Sequence, residues 1–350
     1  MLKQLSFIEL FDVFISESRK GRRLKKDGTL IRRGTIKQYE VVRNELVVFC
    51  GTQSFELRVK NLSRANTRLL KSERLYWKRF YKRYTDYMYA KGCFDNYVGL
   101  HIKTIRTFFN YLKSEKGINC GDFHKTFYVR SEQIPVVVLS PVQLQFLIND
   151  KAFEARLPTY LKQTKDIFVF GCTVCLRFSD LMAIKSSHLE KTATAWHLKV
   201  RSIKTSTDTR IKLPGYAVEI LRRQRTAKTL LPGISCSRLN YNVKELCAEA
   251  GWTQEVNKSR QRRGVVKKIA TNGKPVRFCD LVTTHTMRRT AITTMLCLGM
   301  PESMVRKLSG HSANSKDFFR YVEYAQQWID RETDRVFSAL SPVEKPVENI

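Results

Sequence analysis

The sequence predicts a mainly helical chain of two domains, with a small β-sheet confined to the second. Its 350 residues, 43% of them hydrophobic, suffice for more than one buried core. Up to residue 116 the apolar side chains recur mostly at helical spacing. Residues 117–139 then lose that period and read as an extended connector. A helix-start signal follows at once in Ser140-Pro141-Val142-Gln143. Here a capping serine, a proline at the first helical position and a glutamine at the third form a capping box. The predicted organisation is a helical domain over 1–116, a linker over 117–139 and a second domain over 140–350.

Each element has a local reason. Residues 5–18 place apolar side chains on one helical face, and Thr35 is the expected cap of a helix running to about Cys50. The segment SFELRVKNL alternates enough for a short strand. Two long basic helices are expected over 70–91 and 96–116. In the first, Tyr76, Trp77, Phe80, Tyr81 and Tyr84 point to the core, and Lys78, Arg79, Lys82 and Arg83 point outward. In the second half, residues 155–186 read as a buried helical region. Strands are expected over 194–202 and 209–213, and helices near 215–226 and 237–250. Asn272-Gly273 favours a type I′ hairpin between VVKKIA and KPVRF. Four helices close the chain, at about 284–298, 302–309, 314–323 and 325–339.

Charge narrows the partners. With 63 Lys+Arg against 32 Asp+Glu, the formal net charge is +31. So large an excess repels itself unless a polyanion neutralises it, and nucleic-acid phosphate is the commonest cellular polyanion. Basic residues concentrate at Arg19–Arg33, with Arg22, Arg23, Lys25 and Lys26, and on the 70–91 helix, with Lys78 and Lys82. A further concentration at 256–277 contains Arg262, Arg263, Lys267 and Lys268. These side chains and Arg201 are the candidate DNA contacts. The longest nearly apolar run, Ile167–Leu176, is about half of a bilayer span, and the N-terminus lacks a signal-peptide pattern. A cytoplasmic, nucleoid-associated protein without a membrane partner is expected.

The nine cysteines are scattered and read as reduced thiols. Cys172 and Cys175 form a CxxC inside the apolar stretch IFVFGCTVCL, where structural burial outweighs redox or zinc chemistry. The six histidines form no HExxH, no carboxylate cluster suggests two-metal chemistry, and there is no Walker-type glycine loop. No cofactor is expected.

Five short motifs occur in order: CLRFSDL at 175–181, Lys204-Thr205 at a strand turn, HTMRRT at 285–290, SGH at 309–311 and FRYVEY at 319–324. Each alone is weak; the ordered set in a strongly basic chain resembles the signature of the tyrosine recombinases, the phage and conjugative-transposon integrase family. The resemblance spans the second half, and the first half fits that family's SAM-like core-binding domain. It implies a two-domain DNA clamp with a mixed α/β catalytic domain. The residues themselves suit phosphoryl transfer, in which cationic donors stabilise charge growing on phosphate oxygens. By the resemblance, Arg177 and Arg288 are the catalytic arginines, whose planar forks bind two oxygens at once. His285 lies three residues before Arg288 on one helix and near its positive end, with Thr283 or Thr284 as cap.

Lys204 matches a general acid that protonates the leaving 5′-oxygen, and His311 a residue that bonds the phosphate or takes the nucleophile's proton. Tyr321 matches the nucleophile of a 3′-phosphotyrosine link, with Tyr324 as its rival because the spacing from His311 is one residue longer than usual. The resemblance also implies double-stranded attachment sites, a homo-tetramer on DNA, accessory DNA-bending or directionality proteins, and docking of the C-terminal helix on a neighbouring protomer. The expected function is integration or excision of a mobile element. The alternatives are a type IB topoisomerase-like relaxing enzyme and a non-catalytic DNA-binding regulator of the same fold.

Overall fold

The computed structural model describes residues 4–203, 207–271, 273–312 and 315–340. Contacts divide the chain into two units, one built from Met1–Ile134 with Ser259–Ile269 and the other from Pro135–Lys258 with Ala270–Ile350.

In the first unit β1 (Gln4–Ser6) pairs antiparallel with β2 (Arg58–Lys60). Ser6 caps α1 (Phe7–Arg19) by accepting the Glu9 N–H. The next helix, α2 (Arg33–Thr52), starts before Thr35 and has no side-chain cap, which corrects the expected Thr35 cap. Asn66 caps α3 (Thr67–Ala90), and α4 (Asp95–Ser114) follows. The α1, α3 and α4 faces interlock through aromatic rings: Phe11 meets Phe108 at 4.7 Å and Trp77 meets Phe109 edge-on at 4.8 Å. Pairs of this kind add about 0.5–1.5 kcal/mol each to simple burial. A single 3-10 turn, Phe123–Thr126, interrupts the extended stretch after α4, and Cys120, His124 and Phe127 are buried along it.

Two basic side chains depart from the outward set. The Arg23 guanidinium, expected to contact DNA, is buried 4.4 Å from the centre of the Phe14 ring and donates to Ser18 and Tyr39. Arg83 bonds the Gln53 carbonyl and lies 5.3 Å from the Phe55 ring centre. Cation–π contact and local hydrogen bonds hold both against the fold.

The second unit opens with α5 (Pro141–Asn149), whose Ser140/Gln143 capping box is present. The helical region expected over 155–186 is divided among α6 (Lys151–Arg156), α7 (Thr159–Val174) and α8 (Phe178–Met182). Pro158 breaks the first junction, and Cys175, with a left-handed φ of 58°, breaks the second. A three-stranded antiparallel sheet follows in the order β3 (Leu189–Lys191), β4 (Trp196–Arg201), β5 (Asp208–Leu213). Leu198 opposite Ile211 fixes its register and its buried face, while β3 escaped the sequence pattern. Then come α9 (Gly215–Gln224), α10 (Cys236–Glu249), α11 (Phe278–Leu281), α12 (Thr284–Cys297), α13 (Glu302–Ser309) and α14 (Lys316–Leu340). The last is one continuous helix, which corrects the expected pair. The core is mostly aliphatic and centres on α7.

Between α10 and α11 lie β6 (Ser259–Arg262) and β7 (Val265–Lys268), which pair with each other, and β8 (Ala270–Thr271) with β9 (Lys274–Pro275). Val265–Lys268 therefore turns back on Ser259–Arg262 at Arg263-Gly264, with φ of 56° and 79°, while the expected hairpin is confined to its inner end, where Ala270 pairs with Pro275 and Thr271 with Lys274. The positive φ values are stabilised from within the first unit. Buried Asp95 accepts the backbone N–H of both turn residues, each at 2.8 Å. Glu132 holds Arg260 at 2.7 Å.

All nine cysteines are free thiols. Burial keeps Cys172 protonated, in keeping with a structural CxxC. Among the described residues no helix is long and apolar enough to cross a membrane.

Candidate active site

The site is assembled where α7 and α12 cross. Gly171 makes the crossing close: a Cβ there would fall 2.4 Å from the Met287 sulfur and 3.1 Å from its Cβ. Arg288, the residue after Met287, thereby reaches the end of α7 and donates through Nη1 to the Cys175 carbonyl at 2.7 Å. Its Nη2 bonds the Ser309 carbonyl at the end of α13. Among the described residues its partners are these two carbonyls, and no carboxylate pairs with it. The carbonyls orient the fork without neutralising it, so its other donors and its charge remain for an anion.

Arg177 opens α8 just beyond the Cys175 turn and donates to Ser202 Oγ at 3.1 Å. Burial raises the Cys175 thiol to about 11, opposed by the charges of Arg288 and Arg177. Both guanidinium groups therefore act on one buried point. Ser202 in turn donates to Asp180 Oδ2 at 3.0 Å, and the Ile203 N–H bonds Asp180 Oδ1 at 3.0 Å. Asp180 thus serves the turn after β4; the expected lysine of that turn, Lys204, lies outside the described residues.

Gly310, at φ 63°, ends α13, and the His311 N–H closes back on the Arg306 carbonyl at 3.1 Å. This reversal sets His311 Nδ1 2.8 Å from Ser309 Oγ. The His311 ring faces Phe318 at 5.4 Å and Tyr321 at 6.0 Å between centres. Ser309 therefore joins Arg288 to His311, whose ring lies against that of Tyr321. Arg306, which the motifs did not flag, stacks on Phe318 at 3.9 Å and donates to the Ser312 carbonyl at 3.2 Å. Tyr324 lies one turn beyond Tyr321, and burial raises its phenol above the ordinary value.

His285 sits in the first turn of α12, whose start carries the Thr283/Thr286 capping box. The Thr284 N–H is taken by Asn240 at 2.7 Å. His285 is exposed, and Arg288, one turn on, is buried.

Among the candidate DNA contacts, Arg22, Lys26, Lys78, Lys82, Arg201, Arg263, Lys267 and Lys268 are exposed, and Lys25 is half-buried beside Thr29. Lys78 and Lys82 line a groove of about 720 Å³ in the first unit, with Arg79, Tyr128 and Arg130. Arg263 is paired with Asp86 at 2.6 Å. Arg262 is a structural tie, bonded to the Gly92 carbonyl at 2.8 Å and set against Phe94 at 5.1 Å.

Solved structures align over nearly the whole chain. A lambda integrase dimer bound to a COC′ core site matches at TM-score 0.59 and 12% identity, covering 99% of this chain and 81% of that one. XerH site-specific recombinase on palindromic difH substrate, a post-cleavage complex, matches at TM-score 0.61 and 10% identity, covering 93% and 94%. The Tn1549 transposon integrase with circular intermediate DNA matches at 0.55 and 14%, covering 91% and 95%. The fold is that of the tyrosine recombinases. No family model matches the sequence, and no curated protein matches it significantly. At these identities the likeness is one of fold, and the tyrosine-recombinase motifs rest on the residues described above.

Proposed function

We propose that this protein is a site-specific DNA recombinase that cuts and rejoins DNA through a 3′-phosphotyrosine link, integrating or excising a mobile element. The observation that carries the reading is the convergence of Arg288 and His311 on Ser309, next to Tyr321. Arg177 and Arg288 would bind the non-bridging oxygens of the scissile phosphate, where charge grows in the transition state. The Tyr321 oxygen forms the new bond to phosphorus as its proton passes to His311. The bond from phosphorus to the 5′-oxygen breaks, and Lys204 supplies the proton that the leaving oxygen takes. His285, at the positive end of α12, adds a donor to the same phosphate. The link conserves the phosphodiester energy, so attack by a 5′-hydroxyl reverses the step and rejoins a strand. Tyr321 is preferred to Tyr324 because it faces His311, whereas burial disfavours ionisation of Tyr324.

The exposed cations of the first unit, including Lys78 and Lys82, would bind phosphates along double-stranded attachment sites. On DNA the working assembly would be a homo-tetramer, with accessory bending or directionality proteins, in the nucleoid. The exposed Val336 and Phe337 of α14 suit docking on a neighbouring protomer.

A suicide-substrate assay tests the reading. Incubation with a pool of nicked duplexes of randomised sequence is expected to give a covalent adduct with wild type and none with Tyr321→Phe. No adduct from any duplex would favour the non-catalytic regulator. Adduct on arbitrary sequence with plasmid relaxation would favour a type IB topoisomerase.

A further inference from the structure

The Ser202 hydroxyl is almost buried and lies between two charged side chains from another part of the unit. It gives its proton to Asp180 Oδ2 at 3.0 Å and accepts from Arg177 Nη1 at 3.1 Å. A hydroxyl has one proton, so its donation to the carboxylate turns its lone pairs toward the guanidinium. Asp180 itself is buried and fixed on the other side by the Ile203 N–H. The serine stands at the end of β4, whose next backbone contact, Ser202 N–H to the Thr207 carbonyl at 2.9 Å, closes the turn. Sheet, α8 and Arg177 are thus joined through one oxygen.

We infer that Ser202 is a positioning residue for Arg177, holding its guanidinium in the orientation that meets the scissile phosphate. The inference rests on the recombinase reading for its chemistry and on the hydrogen-bonded chain for its geometry. A methyl in place of the hydroxyl leaves one Asp180 oxygen buried without its donor and removes an anchor of the fork. Arg177 then samples other rotamers, or turns to Asp180, and the phosphate loses a directed donor. Misplacement of such a group by about 1 Å costs roughly 100-fold in rate. Threonine keeps the oxygen and its proton, so it should keep the function.

The test uses the full-length protein and the nicked-duplex pool. Ser202→Ala is expected to lower the adduct rate at saturating DNA by roughly 10- to 100-fold, with the half-saturating DNA concentration unchanged. Ser202→Thr should restore the rate to near wild type. In an Arg177→Ala background Ser202→Ala should add no further loss, because the serine acts through the arginine. Rates are compared at a temperature where melting curves show every variant folded. An unchanged rate in Ser202→Ala, no rescue by threonine, or a loss that multiplies with that of Arg177→Ala would overturn the assignment.

A second measurement separates its failure from that of the recombinase reading. In arginine side-chain NMR of the free protein, the Arg177 Nε–H signal, assigned by its absence in Arg177→Lys, should be ordered in wild type and mobile in Ser202→Ala. Equal order in the two proteins overturns the positioning role. Loss of order without any wild-type adduct upholds that role and overturns the recombinase chemistry alone.

Discussion

Arg23 in the first unit and Arg288 in the second are each 8% exposed, yet they are buried for different ends. Arg23 lies against the Phe14 ring, donates to Ser18 and Tyr39, and pairs with Glu115 at 3.4 Å. Its charge is compensated by the Glu115 carboxylate. Arg288 is held by two main-chain carbonyls and, among the described residues, by no carboxylate. Its orientation is fixed and its charge is unspent. Burial alone therefore does not tell the two arginines apart; the nature of the partner does, since a carbonyl supplies direction and a carboxylate supplies neutrality.

Substitution should separate the two arginines most strongly. Arg288→Ala is expected to lower the adduct rate by roughly 1000-fold or more, and Arg288→Lys, which keeps the charge but not the fork, by roughly 100-fold. Arg23→Met, of similar length and apolar, should leave that rate within about twofold and shift only the melting temperature. A large loss of rate from Arg23→Met would erase the distinction.

Acid should separate the units next. Burial lowers His101 and His124, both in the first unit, from the ordinary 6.5 to about 4. The unfolded chain then binds protons that the folded unit refuses, so stability present above about pH 6.5 is lost as pH falls toward 4. Each histidine contributes up to about 1.4 kcal/mol per pH unit in that window. Urea titrations between pH 7 and 4.5 should show the loss, and His101→Gln should flatten it. A flat profile for wild type would contradict the buried neutral state.

In the second unit, Gly171→Val should cost about 2–3 kcal/mol by overpacking α7 against α12, measured by denaturant midpoint. Met287→Ala in the same chain should recover part of it by vacating the space. The smallest effect belongs to the surface. Lys78→Ala with Lys82→Ala should lower the slope of log affinity against log salt by roughly 0.9 for each phosphate left without its cation. Arg23→Met should leave that slope unchanged.

Much of the scaffold was readable because its signals are local. The Ser140 capping box, the Thr283 cap and the apolar stripes of α1, α3 and α4 need only neighbours within a turn. What was missed depends on distant partners. Alternation marks VVKK as a strand but does not say which strand it joins, and the turn at Arg263 exists because Asp95, far away in sequence, binds its N–H. Arg23 reads as one more cation of a basic stretch until Phe14 and Tyr39 enclose it. At the site, the motifs named Arg177, Arg288, His311 and Tyr321 but not the atoms between them. Ser202, Ser309 and the Cys175 carbonyl carry no motif of their own, since their value lies only in the groups they join.

Mapping the covalent bond itself shows whether cationic donors gather around one phosphate beside one phenol. Adduct trapped on the nicked-duplex pool would be digested with protease and nuclease and its modified peptide sequenced by mass spectrometry. A residual nucleotide on Tyr321 is the predicted result. Attachment at Tyr324, at a serine, or at any residue away from His311 would contradict it.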